Sequence, residues 1–260
     1  MFADAVVLFM QKTKRGSWDP IGSGTLVFYE GWLYIVSAAH VFEDLARGEV
    51  FLAAADKIFS LKRVPALLSS TEAFAKSRAA DPVDLGVMWV SEDILDQING
   101  KVKIITRDSI EDEKKAQHII AYQAVGYPVS KNRKQAEKAA AKNALFTPEL
   151  ALVSGANVTE RLKRAAKYSP ILHIAMDFTK VGNVDDDMMP ADIPVPYGMS
   201  GGLLQGCFDY LPHSNGRYPT CASAILIEHI KAVDALIGVR FSFVYAWLDQ
   251  IAPHLKRLRS

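Results

Sequence analysis

The chain has 260 residues, 50% of them hydrophobic and 23% charged, and this composition is typical of a globular protein rather than a disordered one. Lys and Arg number 30 against 29 Asp and Glu, so a net charge of +1 gives no electrostatic reason to expect nucleic acid as a partner. No uncharged stretch is long enough to span a bilayer, and we expect no membrane partner either. The two cysteines, Cys207 and Cys221, form no metal motif and are typical of free thiols in a reducing compartment. Because no basic leader follows Met1, the sequence predicts a cytoplasmic protein.

The first half of the chain consists of short apolar runs bounded by turn residues, and each run predicts a strand. Residues 24–29 and 32–37 flank Glu30-Gly31, a two-residue hairpin signal. In residues 83–90 apolar side chains alternate, which places every second residue on one face of a strand. The other predicted strands are residues 4–11, 50–55, 57–64, 101–106 and 118–125.

The second half begins with a segment of different character. Residues 130–142 carry six charged side chains among several alanines, and they predict an exposed helix or a mobile loop, most simply a solvated insertion. Residues 157–168 resemble a helix. From Val244 to Leu258 apolar residues recur at three- and four-residue steps, which predicts a C-terminal helix docked on the rest of the fold. Strands are expected at residues 170–178, 202–205 and 220–228. Many short strands with few helices between them favour an all-β barrel or sandwich.

Three short segments carry residue types suited to catalysis. Residues 37–40 read Ser-Ala-Ala-His and come directly after an apolar strand. Residues 84–87 read Asp-Leu-Gly-Val inside a strand. Residues 198–202 read Gly-Met-Ser-Gly-Gly after a proline-rich loop.

In this order the three segments resemble those of the trypsin-like (chymotrypsin-fold) serine peptidases, and most closely the intracellular bacterial-type members. The resemblance covers nearly the whole chain in its order of strands. It implies an all-β fold of two antiparallel β-barrels of the six-stranded type with a C-terminal helix. Residues 1–128 would form the barrel that carries the His and the Asp, and residues 129–260 the barrel that carries the Ser. The long spacing between the second and third segments would be absorbed by the insertion at 130–142.

The resemblance also implies a role for each residue in a serine endopeptidase. A serine hydroxyl is a poor nucleophile until a base takes its proton, so Ser200 is the expected nucleophile and His40 the general base and then acid. Asp84 would hold the imidazole in the required tautomer, although Asp81 lies close enough in sequence to compete for this role. The N–H groups of Gly198 and Ser200 would form the oxyanion hole. The expected substrate is a protein or peptide, and neither a cofactor nor a metal is expected.

Two departures from the family predict differences in activation and specificity. Zymogen-type members have an acidic residue before the nucleophile, whereas this chain has Met199, so we expect that N-terminal cleavage is not the switch. Control would come from a regulatory protein partner, a ligand, or movement of residues 130–142 and 184–196. Pro194, six residues before the nucleophile, offers no charge to the specificity pocket and predicts a preference for small or apolar side chains. A nearby acid, Asp192 or Glu228, could reverse that preference.

Two other functions remain open at this point. One is a catalytically silent trypsin-like fold that binds peptides or partner proteins. The other is an esterase on the α/β-hydrolase fold, because Gly198, Ser200 and Gly202 also match a nucleophile elbow, with Asp234 and His254 following in the required order. The prolines before Ser200 and the lack of a helix pattern after it argue against this second alternative.

Overall fold

The computed structural model describes residues 2–13, 16–45, 49–55, 57–61, 68–70, 80–98, 100–142, 145–164, 167–178, 196–209 and 219–258. The strands are β1 (Val6–Lys12), β2 (Trp18–Tyr29), β3 (Trp32–Ala38), β4 (Val50–Ala54), β5 (Lys57–Leu61), β6 (Leu68–Ser69), β7 (Leu85–Trp89), β8 (Ile119–Gly126), β9 (Ala151–Gly155), β10 (His173–Asp177), β11 (Leu203–Phe208), β12 (Thr220–Ile230) and β13 (Ala235–Arg240). The α-helices are α1 (Ala39–Leu45), α2 (Glu92–Ile98), α3 (Glu113–Ala116), α4 (Val129–Ala141) and α5 (Phe241–Leu258). Short 3-10 helices cover Ala3–Ala5, Arg107–Ser109 and Thr159–Arg164.

The strands of the described residues form two antiparallel sheets. The first has seven strands in the order β5-β4-β1-β2-β3-β7-β6, and the second has six in the order β10-β13-β12-β11-β8-β9. A bridge between Asn157, just after β9, and Met176 on β10 joins the two edges of the second sheet. The predicted all-β class, with two antiparallel barrel-like units and a C-terminal helix, is therefore confirmed, and the architecture resembles a chymotrypsin-like β-barrel fold. The first sheet has seven strands because it includes the edge strand β6, which has only two residues.

The hairpin of β2 and β3 forms where its turn residues predict it. Phe28 pairs with Leu33 and Tyr29 with Trp32, and the connecting Glu30 and Gly31 have φ of 45° and 83°. Positive φ at both turn residues matches the right-handed twist of the flanking strands. The hairpin leads into α1, whose start carries the predicted general base.

Two segments differ from their predicted structure. Residues 101–106 form only an isolated bridge between Ile105 and Val27, because a turn at Gly100 and the 3-10 helix from Arg107 leave little room for a longer pairing. Thr159–Arg164 is a 3-10 helix rather than an α-helix. There the Asn157 side chain accepts a hydrogen bond from the Thr159 N–H, and the Thr159 hydroxyl accepts one from the Ala175 N–H. These side-chain bonds to the backbone compete with α-helical pairing.

The C-terminal helix is docked as expected. On α5 the side chains of Val244, Trp247 and Leu248 are buried, and the Tyr245 hydroxyl donates toward the carbonyls of Phe28 and Ile105 in the first half of the chain. Within the described ranges no helix has the length and apolarity to cross a membrane.

The two sheets do not divide at the predicted boundary after residue 128. Strand β8 pairs with β11 and β9, so it belongs to the second sheet, and the chain passes between the sheets before Ile119. The turn signal at Gly126-Tyr127-Pro128 marks instead the exit from β8 into α4.

The fold is also not that of an α/β-hydrolase. Every strand pair in the two sheets of the described residues is antiparallel, and Ser200 is followed by the strand β11 instead of a helix. An α/β-hydrolase elbow requires a strand before the serine and a helix after it. The alternative that used Asp234 and His254 is therefore excluded by the architecture.

Candidate active site

The imidazole of His40 is hydrogen-bonded to the carboxylate of Asp84, with 2.7 Å between Nδ1 and Oδ2. His40 lies at the start of α1, directly after β3, and Asp84 lies directly before β7. Strands β3 and β7 are paired with Ala38 opposite Leu85, and this register brings the two side chains together. The Ala39 N–H also donates to the Asp84 carbonyl at 2.7 Å. The side chains of His40 and Asp84 are 29% and 13% exposed, so the pair is partly accessible to solvent.

Asp81, the competing carboxylate, is bound to other partners. Among the described residues it makes no hydrogen bond to His40. Its Oδ2 accepts from the Ser70 hydroxyl at 2.7 Å and its Oδ1 from the Val83 N–H at 2.9 Å. The Ser70 oxygen in turn accepts from the Leu85 N–H at 2.8 Å. Asp81 and Ser70 are both buried. They fix the chain on either side of Asp84, which has a strained φ of 45°.

A buried histidine of the second sheet holds the same segment from the other side. His173 Nε2 lies 2.8 Å from the Pro82 carbonyl, and the Ser169 N–H donates to its Nδ1 at 3.1 Å. Nδ1 also lies 3.0 Å from the Ser169 carbonyl oxygen, so each ring nitrogen has a backbone carbonyl within hydrogen-bonding distance. Burial lowers the pKa of His173 below its ordinary value, which favours the neutral ring. This contact could not be predicted from the sequence, because it joins residues 91 positions apart.

Next to His173, the ring of Tyr168 stands edge-on at 5.1 Å between ring centres. The Tyr168 hydroxyl donates to the Glu228 carboxylate. Burial, reinforced by this acceptor, raises the pKa of Tyr168. Glu228 is therefore engaged by Tyr168, with Lys167 Nζ also 3.8 Å from its carboxylate.

The loop that carries Ser200 is bound tightly to the first sheet. The Ser23 N–H donates to the Ser200 carbonyl at 3.0 Å, and the Thr25 hydroxyl donates to the Gly201 carbonyl at 3.0 Å. Gly201 has φ of 84°, and a Cβ at this position would lie 2.0 Å from both the Ser23 carbonyl oxygen and the Ser37 hydroxyl oxygen. Only glycine allows so close an approach with this backbone conformation. The backbone of Ser200, the predicted nucleophile, is thus fixed by contact between the two sheets.

Ser200 itself has a backbone partner in the structure. Its hydroxyl donates to the Ile227 carbonyl of β12 at 3.2 Å, and among the described residues it makes no hydrogen bond to His40. If Ser200 acts as the predicted nucleophile, its hydroxyl exchanges the Ile227 carbonyl for the His40 imidazole before proton transfer. Catalytic hydrogen bonds are often absent or poorly aligned before substrate binds.

The two predicted oxyanion donors are oriented by the carbonyls that precede them. The Tyr197 carbonyl accepts from the Val129 N–H at 2.8 Å, and the Met199 carbonyl accepts from the Gly202 N–H at 2.9 Å. In a planar trans peptide the C=O and the following N–H point in opposite directions. The N–H of Gly198 is therefore directed away from α4 and the N–H of Ser200 away from Gly202. Within the described ranges neither N–H has a hydrogen-bond acceptor.

Met199, in the position that is acidic in zymogen-type peptidases, is buried. It packs in an apolar cluster of the second sheet with Ala124, Val153, Leu204 and Ala224 among its members. A cluster without charge has no partner to offer a buried amine. The loop is anchored by this apolar side chain.

The predicted site residues share one cleft. His40, Asp84, Gly198 and Ser200 line a cavity of about 610 Å³, together with Glu228 and other residues of β12 and its turn. Pro194, predicted for the specificity pocket, and Asp192 lie outside the described residues. The cavity wall is mixed in charge and includes Asp44, His229, Lys167 and Lys231.

The two cysteines, Cys207 and Cys221, are free thiols and do not line this cleft. Burial raises the pKa of Cys221 to about 11 and also raises the pKa of Cys207, which makes both poor nucleophiles. Among the described residues no group of three or more His, Cys, Asp or Glu is placed to hold a metal ion.

No family model matches the chain, and no curated protein matches it. Among solved structures 135 chains match. One comes from a structure described as "Aromatic interactions drive the coupled folding and binding of the intrinsically disordered Sesbania mosaic virus VPg protein", at 13% identity, with a TM-score of 0.49 over 93% of this chain and 87% of that one. At this identity and TM-score the neighbour carries no argument about this protein.

Proposed function

We propose that this protein is a serine endopeptidase that uses Ser200, His40 and Asp84 to hydrolyse peptide bonds through an acyl-enzyme. The observation that carries the proposal is the 2.7 Å hydrogen bond between His40 and Asp84 in the cleft that Ser200 also lines. A carboxylate on Nδ1 leaves Nε2 of the neutral ring as the acceptor, which is the state a general base needs.

The chemistry follows from these positions. His40 Nε2 takes the Ser200 proton as the hydroxyl oxygen attacks the substrate carbonyl, and Asp84 stabilises the imidazolium that forms. The new oxyanion accepts hydrogen bonds from the N–H groups of Gly198 and Ser200. His40 then protonates the departing amine, which leaves the acyl group on Ser200. Water, deprotonated by His40, releases the acid and restores the hydroxyl.

A second candidate function is a peptide- or partner-binding module that keeps the fold without catalysis. It is favoured by the hydrogen bond of the Ser200 hydroxyl to Ile227 in place of His40. In both cases the partner is a protein or peptide bound in the cytoplasm, and a regulatory protein could act on the loops around the cleft.

Incubation with a mixture of unstructured peptides, followed by mass spectrometry of the products, separates the two functions. We expect the wild-type protein to generate new peptide termini and the Ser200→Ala variant to generate none. Intact peptides with both proteins, together with saturable peptide binding by both, would support the binding module and contradict the peptidase.

A further inference from the structure

The helix α4 covers most of the segment that the sequence analysis interprets as a solvated insertion, but one face of the helix is buried against the rest of the protein. Val129, Asn132 and Ala136 are buried. The Asn132 amide donates to the Glu149 carbonyl at 2.9 Å and accepts from the Glu149 N–H at 2.7 Å, and Arg133 forms an ion pair with Asp19 of β2 at 2.9 Å. These contacts fix the helix relative to both sheets.

The start of this helix lies directly against the oxyanion loop. The Val129 N–H is one of the donors at the helix start that have no partner within the helix, and it donates to the Tyr197 carbonyl at 2.8 Å. A Cβ on Gly198 would lie 2.2 Å from Val129 Cγ2 and 2.6 Å from Val129 N. The helix therefore packs on the bare Cα of Gly198, at a residue whose φ is 92°.

A second hydrogen bond holds the neighbouring peptide. The Ser23 hydroxyl accepts from the Tyr127 N–H at 2.8 Å and donates to the Gly198 carbonyl at 3.1 Å. The two carbonyls that flank the Gly198 Cα, those of Tyr197 and Gly198, are thus both bound on the side away from the cleft. Because the Tyr197 carbonyl and the Gly198 N–H belong to one planar peptide, a rotation that freed the carbonyl would also turn the N–H out of the site.

We propose that the Val129 N–H, assisted by the Ser23 hydroxyl, is a positioning group that keeps the Gly198 N–H directed at the developing oxyanion. The proposal rests on the proposed serine peptidase function and adds the device that keeps its oxyanion hole formed without an N-terminal ion pair. In this role the start of α4 takes the place of the ion pair that an acidic residue at position 199 would form and that Met199 cannot.

Val129→Pro tests the proposal, because it replaces the N–H that binds the Tyr197 carbonyl with a ring Cδ, which cannot donate a hydrogen bond. Val129 is the first residue of α4, where proline is tolerated, and Pro128 has φ of −62° and ψ of 120°, which suits a residue before proline. Val129→Ala is the matched control, since it removes side-chain packing but keeps the N–H. The measurement is the reaction of a fluorophosphonate with Ser200, in which the serine oxygen bonds to phosphorus, fluoride leaves and the proton passes to His40.

We expect the Val129→Pro variant to be labelled at a limiting rate about 10–100-fold below that of the Val129→Ala variant. Removal of a whole oxyanion donor lowers kcat by about 10²–10³-fold, and misdirection of the Gly198 N–H should cost somewhat less. The probe concentration for half-maximal rate should change little, since the N–H acts in the transition state. Equal limiting rates for the two variants, with a labelled wild type, would overturn the positioning role alone. A wild-type protein that is not labelled would overturn the proposed function as well.

A second pair of variants keeps the test decisive if Val129→Pro does not fold. Ser23→Ala removes the hydrogen bond to the Gly198 carbonyl together with the one from the Tyr127 N–H, and Thr25→Val removes the hydroxyl bond to the Gly201 carbonyl, on the far side of Ser200. Circular dichroism first establishes that both are folded. The Ser23 variant should lose at least tenfold more of the limiting rate than the Thr25 variant, and the reverse order would contradict the proposal.

Discussion

Replacing Asp84 with Asn tests which carboxylate serves His40 while preserving the shape of the side chain. Asp84 Oδ2 lies 2.7 Å from His40 Nδ1, so the charges of an imidazolium and the carboxylate are about 4 Å apart. At that distance their attraction is about 4 kcal/mol with an effective dielectric constant near 20, equivalent to about 10³ in rate. An amide can in addition hold the ring in the wrong tautomer, and the expected loss in kcat is about 10⁴.

The assay compares Asp84→Asn with Asp81→Asn, which lies three positions earlier. Asp81 accepts hydrogen bonds from Ser70 and Val83, so its substitution should cost about 1–3 kcal/mol of stability and a smaller part of the activity per folded molecule. Initial rates of peptide cleavage are measured with protein whose folded fraction is known from urea unfolding. If Asp81→Asn lowers kcat more than Asp84→Asn, the assignment of the orienting carboxylate is wrong.

Two further predictions concern pH and specificity. The pKa of His173 is lower in the folded protein than in the unfolded chain, where a histidine pKa is near 6.5. The unfolded chain therefore binds a proton more readily. The contribution of His173 to the free energy of unfolding is present above about pH 6.5 and is lost as the pH falls below it. Urea unfolding between pH 8 and pH 5 should therefore show a steeper loss for the wild type than for His173→Gln, and parallel curves would contradict the role of His173. The uncharged Pro194 predicts cleavage after small or apolar residues, and a peptide-library profile dominated by Lys and Arg would refute that prediction.

Local signals in the sequence predicted the elements that carry the site. The turn at Glu30-Gly31 fixed the β2–β3 hairpin, because positive φ at both residues is the geometry that short hairpins require. The alternation of apolar side chains in residues 83–90 predicted β7. In the structure, β3 pairs with β7, and this pairing places His40 beside Asp84. The resemblance predicted Asp84 as the partner of His40 and left Asp81 as a competitor, since the contact depends on which carboxylate the β3–β7 register brings to the imidazole.

The supports of the site could not be predicted, because they join residues far apart in the chain. The bond from Ser23 to Gly198 spans 175 residues, and the bond from His173 to Pro82 spans 91. Neither has a local motif. The strand predicted at residues 101–106 was wrong. The segment has the composition of a strand, but within it only Ile105 pairs with another segment, at Val27. Pairing is a tertiary property that composition does not determine.

Mapping a fluorophosphonate adduct by peptide mass spectrometry tests the central claim most directly, because it asks which atom is nucleophilic and whether His40 makes it so. We predict a single adduct on Ser200, no labelling of Ser200→Ala, and loss of labelling in a folded His40→Ala variant. An adduct on another serine, or undiminished labelling of Ser200 without His40, would contradict the account.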